Sequence, residues 1–304
     1  MSKVLILTDG KAGHENQSKA FARALGCNFD LVEVHFRSKI HKALSYLLDR
    51  LGIRTLSLLC SSSAFTFASS YSAVLGTGSG TFYASKALAK KLGAKCGVVL
   101  YPRGYDIASF NCVLAPAFDR PESAANVIEI PANLVANDEA FYEKGVAAYR
   151  ERTLVVPEIA VIIGGPNKCS TMTAEWMKVM LDEIFKQPGA KAVTTSRRTP
   201  PEVEAIVDSY PWDYKLLYSK DHFNPIPAFV KLAKKLYVTA ESTGMLSEAC
   251  TFGAAEVVAL DNLNPGPHKF RRFVEDLRAG GYMDGSRKVD LSAQFVRAKT
   301  LMGL

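Results

Sequence analysis

Short apolar, β-branched runs alternate with helical patterns along nearly the whole chain. Val4–Leu7 is a compact apolar run and predicts a first strand. Glu15–Leu25 follows with Ala20, Phe21, Ala24 and Leu25 on one side, the spacing of an amphipathic helix. Phe29–Val34, Ser72–Gly76, Cys96–Tyr101 and Cys112–Ala115 predict further strands, with a helix over Thr81–Leu92 that ends near Gly93. Strands separated by helices of this length need crossover connections, and therefore a parallel sheet.

The pattern weakens between Ala136 and Pro157, where a charged helical stretch (Glu139–Arg152) precedes Val155-Val156-Pro157. It then restarts. Strands are expected at Ile159–Ile163, Ala192–Thr195, Tyr214–Tyr218, Leu236–Thr239 and Val257–Leu260. Helices are expected at Thr173–Phe185, Pro201–Val207, Pro225–Lys234, Met245–Phe252 and Lys269–Ala279. With 304 residues, two domains are the default. The expected fold class is α/β: two doubly wound parallel-sheet domains, residues 1–150 and 151–304, with the segment after Gly285 a candidate to cross back.

Composition narrows the class. Hydrophobic residues make up 48% and charged residues 22%, an ordinary globular mix. Apolar runs fall short of the ~20 residues a membrane span needs, and the first apolar run is too short for a secretory signal, so a cytoplasmic protein is expected. The six cysteines are scattered, without a CxxC pair or a histidine at ligand spacing, so they are expected to be reduced and no metal site is expected.

The net charge is +7, with 17 Lys and Arg against 12 Asp and Glu in residues 1–150, and 20 against 18 thereafter. Between His35 and Arg54, Arg37, Lys39, Lys42, Arg50 and Arg54 accompany one acid, Asp49. That patch suits an anionic ligand or surface, but lacks the interleaved aromatics of a nucleic-acid platform. The same segment carries Ile40, Leu44, Leu47, Leu48 and Leu51 at helical spacing. Such a helix rests either on an anionic membrane or, the commoner arrangement, against the sheet with its lysines in water.

Ligands of parallel sheets bind beyond the carboxyl ends of the strands, where glycine-rich turns present helix N-termini. Four turns qualify. After the first strand come Asp9, Gly10, Lys11, Gly13, His14, Glu15, Asn16 and Gln17. Gly76-Thr77-Gly78-Ser79-Gly80 is weak alone, because it lacks GxGxxG spacing and the Gly-Lys-Ser/Thr of a P-loop. Gly164, Gly165 and Lys168 follow Ile159–Ile163, and Ser196, Arg197 and Arg198 follow the next strand. Paired guanidiniums there match phosphate oxygens. Finally Ser242, Thr243 and Gly244 open a helix whose free N–H groups favour an anion, with Glu248 further in as a candidate ribose acceptor. Asp9, His14 and Glu15 are the acid/base candidates, since histidine titrates near neutrality. Each motif also has a local reading, as an N-cap or a solvated turn.

The runs Asp9–Gln17, Ile163–Pro166, Thr195–Pro200 and Thr239–Ala249 together resemble the family named for the plant "elongated mitochondria" fission factor, whose bacterial members are predicted glycosyltransferases. The resemblance implies twin Rossmann-like domains facing a cleft, as in GT-B glycosyltransferases. The acceptor would lie on the first domain at Gly10, Lys11, Gly13, Asn16 and Gln17. The nucleotide-sugar donor would lie on the second, with Ser242, Thr243 and Gly244 at the diphosphate, Arg197 and Arg198 assisting, and Glu248 on ribose. It also implies work without metal or other cofactor, the nucleotide-sugar being a substrate. The expected function is glycosyl transfer to a cell-envelope acceptor, lipid-linked or saccharide, at the inner membrane face. The alternatives are a non-catalytic membrane-recruited adaptor of the fission-factor type and a nucleotide-sugar epimerase. The last is disfavoured because no GxGxxG follows the first strand and no Tyr-x-x-x-Lys pair is evident.

Overall fold

The computed structural model describes residues 2–61, 70–285 and 287–304. The chain divides into two compact units: the segment up to Ala136 together with Asp290–Leu304, and Asn137–Val289.

The first unit runs β1 (Lys3–Thr8), α1 (Ala12–Ala24), β2 (Asn28–Phe36), α2 (Lys39–Arg50), β3 (Leu59–Ser61), β4 (Ala73–Thr77), α3 (Phe82–Leu92), β5 (Lys95–Val99), β6 (Cys112–Pro116) and β7 (Val127–Ile130). Its sheet has the order β3-β2-β1-β4-β5-β6-β7, parallel throughout except for β3. Every residue of Val4–Leu7 is fully buried, because helices cover both faces. Leu5 and Leu7 pack with Phe82, Tyr83 and Leu88 of α3, while Val4 and Ile6 pack with Phe21 of α1. Alternate side chains of one strand thus serve two cores.

The second unit runs α4 (Glu139–Arg150), β8 (Ile159–Ile162), α5 (Ala174–Phe185), β9 (Lys191–Thr194), α6 (Pro201–Asp208), β10 (Tyr214–Leu216), α7 (Ile226–Leu232), β11 (Lys235–Thr239), α8 (Thr243–Phe252), β12 (Glu256–Leu260) and α9 (Lys269–Ala279). The sheet order is β10-β9-β8-β11-β12, all parallel. A last helix, α10 (Ser292–Met302), belongs to the first unit, with Ala298 and Met302 buried beside Phe21.

The division differs from the expected break at residue 150. Tyr142 and Tyr149 of α4 are fully buried, stacked on Phe252 at 4.4 Å and edge-on to Phe229 at 5.9 Å, which assigns that helix to the second unit. The antiparallel β3, the strand β7 and the helical form of α10 were not expected from the sequence, whereas the return of the segment after Gly285 to the first unit was. β3 is three residues long, too short for a periodic signal.

Helix α2 meets the sheet-packing expectation only in part: Tyr46 and, of the predicted stripe, Leu48 pack against the core, while the rest of the stripe does not. Its buried residues are the polar Ser45 and Asp49. The Asp49 carboxylate accepts from Lys86 Nζ at 2.9 and 3.0 Å, from the Asp106 backbone N–H at 2.7 Å, and pairs with Arg54 at 3.2 Å. Lys86 also donates to the Asp106 carbonyl at 2.6 Å and lies 4.1 Å over the Phe110 ring. Burial pulls the Lys86 ammonium below its ordinary pKa, against the opposing pull of Asp49. Ser45 bonds Tyr105 at 2.9 Å. With its polar side locked inward, α2 turns Ile40, Leu44, Leu47 and Leu51 outward.

Removing one member of a buried ion pair strands the other, at a cost of about 3–5 kcal/mol. Asp49→Ala should therefore destabilise the first unit by about that amount, while Asp49→Leu combined with Lys86→Met recovers most of it. Chemical denaturation of the three proteins checks both expectations.

Candidate functional sites at two switch points

In each sheet the chain reverses its direction of growth once: between β1 and β4, and between β8 and β11. Loops leave opposite ways there and open a crevice at the strand ends.

In the second unit, three loops interlock at the end of β8. Glu241, buried and following β11, accepts from the Gly165 N–H at 2.8 Å, Ser242 Oγ at 2.9 Å and Thr239 Oγ1 at 3.0 Å. Its other oxygen accepts from Asn262 Nδ2 at 2.8 Å. From β9, Ser196 Oγ and Thr199 Oγ1 donate to the Gly164 carbonyl at 2.8 and 2.6 Å. Arg198 Nη1 donates to the Gly165 carbonyl at 3.2 Å. Both glycines are sterically required. A Cβ at Gly164 would lie 2.1 Å from Glu241 Oε1, and one at Gly165 would lie 2.1 Å from the Arg198 carbonyl oxygen.

The predicted residues thus sort into two groups. Gly164, Gly165, Ser196, Arg198 and Ser242 meet one another. The hydroxyl protons of Ser196 and Ser242 are directed inward, to Gly164 and Glu241, so these serines build the loop cluster rather than donating outward. Lys168, Arg197 and Gly244 are exposed. At Gly244 a Cβ would meet nothing within 4 Å, so the protein itself does not demand glycine there. The first hydrogen bonds of α8 are made by Thr243 and Leu246, which leaves the Gly244 and Met245 N–H groups at an open helix N-terminus. Glu248 lies further along α8, where Oε1 accepts from Tyr142 at 2.9 Å. Burial raises its carboxyl above the ordinary range, and the Tyr142 bond opposes this.

In the first unit, the loop after β1 meets the glycine turn after β4. Asp9, with 7% of its side chain exposed, accepts from His14 Nδ1 at 3.0 and 3.1 Å and from Lys11 Nζ at 2.8 Å. Burial pushes the Asp9 carboxyl up, but the His14 and Lys11 bonds outweigh it and hold the group well below the usual carboxylate range. A carboxylate on Nδ1 makes that nitrogen the donor, leaving Nε2 of a neutral ring as the acceptor.

The turn that was weak in sequence closes over this pair. A Cβ at Gly78 (φ +81°) would lie 2.4 Å from the His14 ring, and one at Gly80 would lie 2.8 Å from Asp9. Ser18 Oγ bonds Thr77 Oγ1 at 2.7 Å, and Lys42 reaches from α2 to Ser79 at 2.9 Å. Gly10 takes φ +77° and crowds Glu33, whereas Gly13 has open space. Glu15 pairs with Lys19 at 2.6 Å, one helical turn on, and does not join Asp9 and His14. Asn16 is exposed; Gln17 is half-buried, and its Oε1 has no partner among the described residues.

The sequence reading missed Glu241, Asn262, Thr199, Gly78, Gly80 and Lys42 as site residues. Glu241 and Thr199 lay inside motifs already singled out. Gly78 and Gly80 gain meaning only once β4 is placed beside β1.

Two expectations follow from this geometry. Gly244→Ala should leave the melting temperature unchanged or slightly raised, since alanine gains up to ~1 kcal/mol in a helix. Gly165→Ala should lower it sharply, because its Cβ meets backbone. Glu248→Gln should stabilise at pH 7.5 and not near pH 4. The raised carboxyl contributes stability that is present below its unfolded pKa of about 4.3 and lost as pH rises through the folded one. Thermal melts across that range check the sign.

The architecture has counterparts among solved structures. UDP-GlcNAc 2-epimerase from Neisseria meningitidis, bound to UDP-GlcNAc, superposes at TM-score 0.53 with 11% identity over all of both chains. UDP-N-acetylglucosamine 2-epimerase from Rickettsia bellii gives 0.50 and 11%, over 99% of this chain and 95% of that one. A UDP-glucosyltransferase from Polygonum tinctorium gives 0.50 and 9%, over 99% and 92%. At such identities the likeness establishes the fold, a GT-B-type pair of Rossmann-like units. No curated protein matches the sequence. The family model for mitochondrial fission ELM1 matches residues 12–293, from the start of α1 into α10, and the chain belongs to that family.

Proposed function

We propose that the protein is a nucleotide-sugar-dependent glycosyltransferase whose acceptor is a lipid-linked or saccharide component of the cell envelope. The observation that carries this reading is the second-unit switch point. There an open helix N-terminus at Gly244, Arg197, which has no partner among the described residues, and the half-engaged Arg198 accompany a sterically crowded glycine turn. Free N–H groups and guanidiniums suit a diphosphate and can stabilise charge on a departing group. Glu248 keeps Oε2 for a ribose hydroxyl. The fold likeness to UDP-GlcNAc 2-epimerases and a UDP-glucosyltransferase supports the ligand class.

On the first unit, His14 Nε2 is the group that takes the proton of a hydroxyl, with Asp9 fixing the ring and stabilising the imidazolium. On the second unit, the Gly244 and Met245 N–H groups and Arg197 receive the charge that develops on the diphosphate as its bond to the anomeric carbon breaks and the acceptor oxygen takes its place. The chemistry runs through the protein's own side chains and needs no cofactor in this scheme.

An epimerase is the second reading, favoured by the solved structures of that activity that share the fold. The missing GxGxxG and Tyr-x-x-x-Lys do not weigh against it on this fold. Incubation with a UDP-sugar alone separates the two: an epimerase changes the sugar's proton spectrum without acceptor, a transferase does not. A protein that binds no nucleotide at all is the adaptor.

Arg197→Ala should lose about 1.5–3 kcal/mol of nucleoside diphosphate binding, roughly ten- to hundredfold in Kd. Arg198→Ala should lose as much and also loosen the Gly165 turn, so Arg197 is the cleaner test. His14→Ala should retain nucleotide affinity and lose about a hundredfold or more in transfer rate. Calorimetry with UDP and a donor-hydrolysis assay read these two effects separately, and nucleotide binding that survives both arginine changes would place the site elsewhere.

A further inference from the structure

The outward face of α2 is not absorbed by either site. Ile40 is 78% exposed, Leu51 63%, Leu47 55% and Leu44 38%, with Ile53 at 45% just beyond the helix. These side chains recur every three to four residues, so they form one continuous apolar strip. Cations stand along it: Arg37, Lys39 and Arg50 are exposed and none takes part in a salt bridge among the described residues, Arg37 using only its Nε, which donates to the Leu59 carbonyl at 3.2 Å. The helix's one acid, Asp49, is fully withdrawn and neutralised by Lys86 and Arg54. An apolar strip edged by cations without acid partners among the described residues, with no exposed acid on the helix, matches the boundary between acyl chains and anionic headgroups.

We propose that α2 docks this unit flat on an anionic membrane surface, with Ile40, Leu44, Leu47 and Leu51 among the acyl chains and Arg37, Lys39 and Arg50 at the phosphates. The contact is peripheral: among the described residues, no helix is long and apolar enough to cross a membrane. The inward side of the same helix gives the contact a direction. Asp49 and Lys86 clamp α2 to α3 and Ser45 bonds Tyr105 in the loop after β5, so the strip cannot turn inward without stranding a buried charge. Lys42 ties α2 to Ser79 in the turn beside His14. Docking would therefore hold the Asp9–His14 pair in the unit that meets the lipid, where a lipid-borne hydroxyl arrives. The docking stands on the α2 surface alone and does not depend on nucleotide binding.

The test is vesicle co-sedimentation of the full chain, comparing neutral phosphatidylcholine with vesicles containing phosphatidylglycerol. The expected result is binding only to the anionic vesicles, lost in 1 M salt, where screening falls to ~3 Å. Leu44→Ser with Leu47→Ser keeps every charge and touches no buried group, so it should leave the melting temperature unchanged and weaken binding about tenfold or more. Lys39→Gln with Arg50→Gln should weaken it roughly fivefold per charge. Equal binding to neutral vesicles, no binding, or undiminished binding of the serine variant would overturn the proposal. So would a wild-type dimer that the serine variant converts to monomer, since a second copy would then cover the strip. UDP calorimetry on the serine variant should match wild type, so loss of docking is distinguishable from failure of the donor site.

Discussion

A carboxylate taken out of water must be surrounded by donors, and three such groups organise this protein. Asp9, Asp49 and Glu241 are each withdrawn from solvent, and each is satisfied by groups from segments far apart in the chain or across a turn. Leaving such a charge short of partners costs several kcal/mol, a large part of a domain's net stability. The segments these acids collect are consequently held in one arrangement.

At Glu241 that arrangement is a set of turns. Its oxygens draw together the loops after β8, β11 and β12, while Ser196 and Thr199 add the loop after β9. The result is a rigid floor from which the α8 N-terminus, Arg197 and Gly244 remain unengaged. Asp9 does the equivalent work for a single imidazole, and Gly78 and Gly80 are needed because the dyad occupies the space a side chain would fill. In both units the inward-facing polar groups are scaffold, and the proposed chemistry rests on the groups the scaffold leaves free.

Asp49 shows the same constraint acting on a surface. A helix with leucines at periodic spacing ordinarily buries them. Here the polar side is held inward by Lys86, the Asp106 N–H and Tyr105, and apart from Tyr46 and Leu48, which reach the core, the apolar residues Ile40, Leu44, Leu47 and Leu51 are left facing out. Periodicity records that two faces differ; it does not record which one the core claims.

The strand–helix alternation, the strand-end glycine turns and the restart after Pro157 were all legible in the sequence, because each rests on local propensity and spacing. The short parallel strands appeared where β-branched runs predicted them, and the motifs Asp9–Gln17, Ile163–Pro166, Thr195–Pro200 and Thr239–Ala249 together carried the family. What tertiary structure alone decided was partnership across distance. It moved α4 into the second unit, since only packing shows that Tyr142 and Tyr149 meet Phe252 and Phe229. It paired the weak turn Gly76–Gly80 with Asp9 and His14, because strand order, not chain order, sets β1 beside β4. It directed the Ser196 and Ser242 hydroxyls inward and gave Asp49 to Lys86. Spacing along the chain fixes what each segment can become, but hydrogen-bond and burial demands are met through space, and those demands choose which face, and which neighbour, each segment takes.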